Sequence, residues 1–294
     1  MLWSSIVSIL SSALRMGLPL AFAALGGVYS SKAGITALGL EGMMLSGSFA
    51  AAYFSFATGN PWLGLLGSAV AGGLLALLEA WLIVKQKVDQ VIGGIGINLL
   101  ALGGTNLLLQ VVWNNRGKSA SLPTLPSIHI PGFGAISVLL FLLAVVGFSV
   151  WLLRRTRFGL RLRAVGENPI ATRSIGVNNS AIKLIAMLVC GMLAGIAGAY
   201  LSIDNLNVFS RNITAGRGYI AMSIIILANY HPGGVLWGSL LFGFADALQI
   251  LLQRTGTSGQ LLKAVPYLLT LLVITIAGER VRAPQFLGIN SNEE

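Results

Sequence analysis

The sequence predicts an all-α fold, a polytopic membrane helix bundle of about 8–10 transmembrane segments, broken or re-entrant helices included. Three observations predict it. Only 10% of the residues are charged, 55% are hydrophobic, and the mean hydropathy is +0.82. A soluble domain carries about 25% charged residues. The apolar residues also gather into runs close to the roughly 20 residues that a spanning helix needs. Finally, the segments between runs are too short to hold a soluble domain, so residues 1–294 read as a single transmembrane domain.

The runs lie at 3–28, 34–57, 62–84, 92–113, 135–153, 182–203, 219–230, 233–252 and 264–278. The first opens MLWSSIVSIL, with no basic leader and no small-residue cleavage site, and reads as a helix rather than a cleaved signal. The second holds Glu41 in GLEGMMLSG. The third carries Glu79 near its end, where Lys85 or another interfacial cation is the expected partner. The fourth places Asn98 and Asn106 on one face, about two helical turns apart. In the sixth, Gly191, Gly195 and Gly198 recur at a spacing that lets helix backbones approach closely, and Gly234 and Gly238 repeat it later. The seventh run is about 18 Å long at 1.5 Å per residue, so it is either a short span or a half-helix. Pro232, Gly233 and Gly234 mark the break before the eighth run, where Asp246 and Gln249 share a face.

Charge sets the orientation. The net charge is +10, from 19 Lys and Arg against 9 Asp and Glu. A nucleic-acid partner is not required, because cytoplasmic loops of membrane proteins collect basic residues. With the segment 154–181 in the cytoplasm, alternation places twelve basic residues inside and six outside, Arg15 uncounted. The expected topology has the N-terminus outside and the C-terminus inside, with 219–252 beginning and ending outside.

Enzymatic function finds no support. Two histidines, His129 and His231, and the single Cys190 are too few for the usual metal clusters, and no catalytic set is present. Cys190, alone in an apolar run, is expected to be buried. Gly117-Lys118-Ser119 resembles the end of a phosphate-binding loop, but Val112 stands where the earlier glycine belongs. GGIGIN at 93–98 has the look of a dinucleotide fingerprint, yet it opens a membrane helix and follows no strand. The chain therefore binds no nucleotide or metal of its own.

Polar residues inside hydrocarbon are costly and face a cavity or a partner. Glu41, Asn98, Asn106, Asn229, Asp246 and Gln249 are accordingly the candidate translocation path. Each has a plainer alternative. The asparagines and Gln249 serve equally as hydrogen-bonding glue between helices. Glu41 suits the capping of backbone donors at a broken helix, or a pair with Arg15.

Residues 154–176 read RRTRFGLRLRAVGENPIATRSIG and hold six of the nineteen basic residues. Arg154, Arg155 and Arg157 suit headgroup anchoring. Gly166-Glu167-Asn168-Pro169 reads as a helix start, with Asn168 as N-cap and Pro169 at the first helical position. About one turn follows, and Gly176 ends it. So short a helix needs packing to persist, and a cytoplasmic partner is the natural candidate.

These motifs carry a resemblance. RFGLRLRAVGENPIATRSIGVN resembles the cytoplasmic coupling loop of permease subunits of bacterial ABC importers, the branch handling branched-chain amino acids, simple sugars and nucleosides. GLEGMMLSGSFAA, GRGYIAMSIIILANYHPGGVLWGSLLFGFADALQ, and AVPYLLTLLVITIAG followed by RAPQFLG are similar to that family's second helix, broken-helix region and tail. The match runs from about residue 16 to 288, and its details look most like the nucleoside branch served by basic-membrane-protein-type lipoproteins. It departs at Ala228-Asn229-Tyr230-His231-Pro232, where Gly-Lys-Trp-Asn-Pro is expected. The resemblance implies a bacterial cytoplasmic-membrane permease that pairs with a second, related permease subunit. A separate cytoplasmic ABC ATPase would hold ATP and Mg²⁺, and an external substrate-binding lipoprotein would deliver a small molecule. It assigns ATPase coupling to Gly166, Glu167, Asn168, Pro169, Ala171, Thr172 and Gly176. The solute expected is a nucleoside, with riboflavin or a simple sugar as the alternative. An ion-coupled secondary transporter, using Glu41 and Asp246, is the rival of a different class.

Overall fold

The computed structural model describes residues 2–125, 129–130, 134–253 and 282–289, together with Leu268, Leu271, Leu272 and Thr275. Ten helices account for nearly all of it. They are α1 Leu2–Lys32, α2 Leu40–Thr58, α3 Pro61–Val84, α4 Gln90–Trp113, α5 Ile136–Arg155, α6 Arg157–Glu167, α7 Pro169–Ser174, α8 Asn179–Ala199, α9 Arg217–Leu227 and α10 Pro232–Gln253. A short antiparallel pair, β1 His129–Ile130 with β2 Gly134–Ala135, interrupts the connection between α4 and α5. Of the apolar run at 264–278, only Leu268, Leu271, Leu272 and Thr275 are described, each helical.

Four stretches among the described residues are long and apolar enough to cross a membrane: Leu10–Lys32, Pro61–Val84, Gln90–Trp113 and Asn179–Asn205. The last includes a six-residue π-helical turn, Tyr200–Asn205, that prolongs α8. Its Ser202 hydroxyl donates to the Ser48 carbonyl of α2 at 3.0 Å, which ties the widened turn to its neighbour. The chain is a multi-pass membrane protein. Leucines, isoleucines and valines on α4, such as Ile92, Leu99, Leu107 and Val111, remain exposed on its outer face. In a membrane that surface meets lipid or another chain rather than water.

The core is built on close backbone approach. α3 packs against α2 and α8, and α1 against α8 and α10. Gly195 faces the backbone of Ser68 on α3, Gly191 faces that of Gly72, and Gly198 faces that of Met44 on α2. A Cβ at Gly195 would overlap Ser68 outright. Without water between the helices, such contact is what holds a membrane bundle together. The expected small-residue face of 182–203 is therefore where α8 meets two helices at once. Cys190 is fully buried on this helix and is in no disulfide.

One end of the bundle gathers the close of α1, the starts of α4 and α8, the close of α5, and all of α6 and α7. It is called the α7 end below. The start of α4 belongs there because Gln90 Oε1 accepts the Thr36 N–H at 2.8 Å, just beyond α1. At the opposite end, the segment before α9 pairs with the loop after α4 through a Lys118–Ser210 bridge.

Replacing Gly195 by Val should push α3 from α8 and cost about 1–3 kcal/mol or more. Gly103, which has nothing within 4 Å of its would-be Cβ, is the control. A thermal melt in detergent should fall for Gly195→Val and hold for Gly103→Val. Equal midpoints would contradict the packing described.

Candidate functional site: a junction of helix starts and a terminal knob

Among the described residues, two helices begin between the two ends of the bundle, at a depth that a membrane would fill with hydrocarbon. α9 has only 11 residues, so its start at Arg217 lies about 16 Å from its close at the α7 end. The start of α2 meets Asn98, eight residues into α4 and so about 12 Å from that same end. Each helix start exposes up to four backbone N–H groups without intrahelical partners. No water is at hand to satisfy them in hydrocarbon.

Side chains do it instead. Glu41, in the first turn of α2, turns its carboxyl group to the start of α9. Its Oε1 accepts from the Thr214 hydroxyl at 2.5 Å and from the Gly216 N–H at 2.8 Å. Its Oε2 accepts from the Gly218 N–H at 2.7 Å. An acid there also opposes the partial positive charge of the helix N-terminus. Gly218 is needed for the approach, since a Cβ would run into the Glu41 backbone. Asn98 completes the start of α2. Its Oδ1 accepts from the Gly42 N–H at 2.7 Å, and its Nδ2 donates to the Leu38 carbonyl at 2.9 Å and the Tyr219 hydroxyl at 3.0 Å.

Glu79 supports the same turn from α3. It is fully buried, its Oε1 accepts the Gly39 N–H at 3.2 Å, and its Oε2 has no hydrogen-bond partner among the described residues. The expected pairing with Lys85 is thus replaced by capping, because Glu79 points inward toward the α2 start while Lys85 closes α3. Arg15 likewise does not reach Glu41. It faces Asp204 in the π-helical turn. Arg217, counted with the outside charges, is the first residue of α9, and its charge acts on Asp246 of α10.

The remaining polar positions are dispersed. Asp246 and Gln249 are half-buried on α10, and Asn106 is half-buried on α4, two turns beyond Asn98. Asn229 lies away from the junction. With Tyr230 it forms a turn of two consecutive left-handed residues, φ +51° and +55°, that joins α9 to α10 at the α7 end. There its exposed side chain accepts the Arg282 N–H at 2.8 Å. Next to it, Arg154 of α5 donates to His231 Nε2 at 2.6 Å, which requires a neutral ring because guanidinium can only donate. Burial, then Arg154 and Lys32, hold the His231 pKa below its ordinary value and keep the ring in that form.

The second element is the knob. Asn168 caps α7 as its sequence suggests, its Oδ1 accepting from the Ala171 N–H at 2.9 Å, with Pro169 first in the helix and Gly176 left-handed at φ +79°. Gly166 and Glu167, however, belong to the last turn of α6 and not to the start of α7. The presumed loop before α7 is an amphipathic helix, 11 residues long and capped by Thr156 at the Gly159 N–H. Thr172 anchors α7 from below. Its hydroxyl donates to Asn179 Oδ1 at 2.9 Å, and Asn179 Nδ2 donates to the Pro169 carbonyl at 2.7 Å. Both side chains are buried, so α7 is fastened to the first turn of α8. Outward, Ile170 and Ile175 are 54% and 77% exposed beside Arg173. Both side chains are thus held in the open on a turn braced from beneath.

If the Glu41 carboxyl group caps α9, then Glu41→Ala strands its donors and Glu41→Gln replaces one acceptor by an NH₂ group. Each lost bond to such a group is worth about 1.5–3 kcal/mol. Both variants should lower the melting temperature in detergent. Lost transport with an unchanged melt would mean that Glu41 acts only on solute.

Comparisons with known proteins bear on the family. A family model described as branched-chain amino acid transport system / permease component matches residues 9–274. The guanosine ABC transporter permease protein NupQ of Bacillus subtilis is 32% identical over 297 residues, 92% of each chain. The nucleoside ABC transporter permease protein NupC of Lactococcus lactis is 33% identical over 303 residues, 96% of each chain. The ribose import permease protein RbsC of Escherichia coli is 26% identical over 79% of this chain and 74% of its own. No solved structure gives a significant match. The chain belongs to the family of permease components of the branched-chain amino acid transport system type.

Proposed function

We propose that this chain is the permease subunit of an ATP-driven importer for nucleosides. End-to-end similarity to two permeases named for guanosine and nucleoside transport carries the choice of solute. A simple sugar is the second reading, favoured by a relative from Haloferax volcanii named a putative glucose ABC transporter permease, 30% identical over 92% of this chain.

In this reading the α7 end faces the cytoplasm, where the basic residues from Arg154 to Arg173 concentrate, with the N-terminus outside and the C-terminus inside. The knob seats in a groove of a separate ATPase that holds ATP and Mg²⁺. Ile170 and Ile175 supply the apolar contact, and Arg173 supplies the charge. A second, related permease subunit covers part of the exposed helix surface, and an external lipoprotein delivers the solute. The chain itself then does no chemistry. Its work is to hold a path and to change shape when α7 moves.

Two experiments test this. In membranes carrying the complete transporter, Ile175→Glu should reduce co-purified ATPase by about tenfold or more, as loss of an interface anchor does. The variant chain should remain folded by size exclusion. Undiminished co-purification and uptake would overturn the docking assignment. For the solute, unlabelled guanosine should compete with labelled nucleoside uptake, while ribose, glucose and riboflavin should not. Competition by a sugar alone would favour the second reading.

A further inference from the structure

The C-terminal segment 282–289 lies across the α7 end and touches the parts that a moving knob would need to reach. The Arg282 N–H donates to Asn229 Oδ1 at 2.8 Å, in the turn between α9 and α10. The Gln285 N–H lies 3.4 Å from Glu167 Oε2, and the Phe286 N–H donates to the Gly166 carbonyl at 3.0 Å, both in the last turn of α6. The Ile289 carbonyl accepts from Gln90 Nε2 at 3.2 Å, at the start of α4, while Gln90 Oε1 holds Thr36. Pro284 is buried and Leu287 packs against the core. A Cβ at Gly34 would press on the Phe286 carbonyl, so the α1–α2 loop lies against the segment as well.

We propose that residues 282–289 are a strap that carries displacement of α7 to the α9–α10 turn, with Asn229 as the positioning residue that receives it. The proposal rests on the reading of α7 as the ATPase-docking knob. The route is mechanical and short. α7 follows α6 with no residue between them but its cap, Asn168, so the last turn of α6 moves with the knob. The strap is bonded to that turn and to Asn229. From Asn229, α9 is a rod of three turns whose other end is the Gly216–Gly218 stretch held by Glu41. A pull at the turn is therefore delivered to the junction where α2 and α9 begin. Beyond α6, α7 itself is fastened to α8 through Thr172 and Asn179, and the only other bonded link near the turn that the described residues show is the Arg154–His231 contact from α5. All of the strap's hydrogen bonds use its backbone, so the specificity lies in the side chains that receive it: Asn229, Glu167 and Gln90.

The left-handed conformation of Asn229 makes a clean test available. Asn229→Gly keeps that conformation at no steric cost and removes only the acceptor, whereas Asn229→Asp keeps an acceptor in place. The complete transporter is reconstituted in liposomes, and solute uptake, ATP hydrolysis and bound ATPase are measured together. Asn229→Gly should retain bound ATPase and its hydrolysis, yet lose about fivefold in solute moved per ATP, the low end of typical coupling between sites. Asn229→Asp should restore the ratio. A chain ending after residue 281 should behave like Asn229→Gly. If that shortened chain does not fold, the Gly and Asp pair decides alone. An unchanged ratio in Asn229→Gly overturns the strap, and so does a loss that Asp fails to restore. Failure of the docking reading looks different: Ile175→Glu would then leave the ATPase bound.

Discussion

Backbone N–H groups left open inside hydrocarbon are the constraint on which this structure turns. Helices in a membrane satisfy their own backbone, but a helix that starts within the layer does not. Each open donor there costs several kcal/mol. Among the described residues there are two such starts, α2 and α9, and both are closed with side chains from neighbouring helices. Glu41 of α2 serves α9. Asn98 of α4 and Glu79 of α3 serve α2. The three are polar because the broken helices demand it, and the glycines around them, Gly39, Gly42 and Gly218, let the donors come within reach.

The junction is also where the fold is free to change. An unbroken helix resists bending because every hydrogen bond along it must adjust, whereas a start capped by one carboxyl group shifts by exchanging three bonds. α9 is short, bounded by the junction at one end and the left-handed turn at Asn229 and Tyr230 at the other. The rigid parts lie elsewhere, in the glycine-mediated contact of α2, α3 and α8.

Much of this was legible in the residues. The period and length of the apolar runs announced the bundle, and Asn168-Pro169 with Gly176 announced α7, because capping chemistry is local and leaves a local signature. The glycines of α8 gave away its packing face. What stayed hidden depended on contacts distant in sequence. Glu41 and Gly218 lie 177 positions apart, and no short pattern connects them. α6 was overlooked because its basic residues suggested anchoring, although Leu162 and Val165 on one face, with Gly159 and Gly166, had the spacing of a buried stripe. The polarity of Asn229 gives no hint of its left-handed turn or of its bond to the tail.

The central claim is that Glu41 closes the start of α9. Hydrogen exchange at the Gly216 and Gly218 amides of the unmodified protein reads this directly. If the carboxyl group holds them, both exchange as slowly as amides inside α9. Exchange as fast as that of the exposed loop amides at 115–117 would contradict the account.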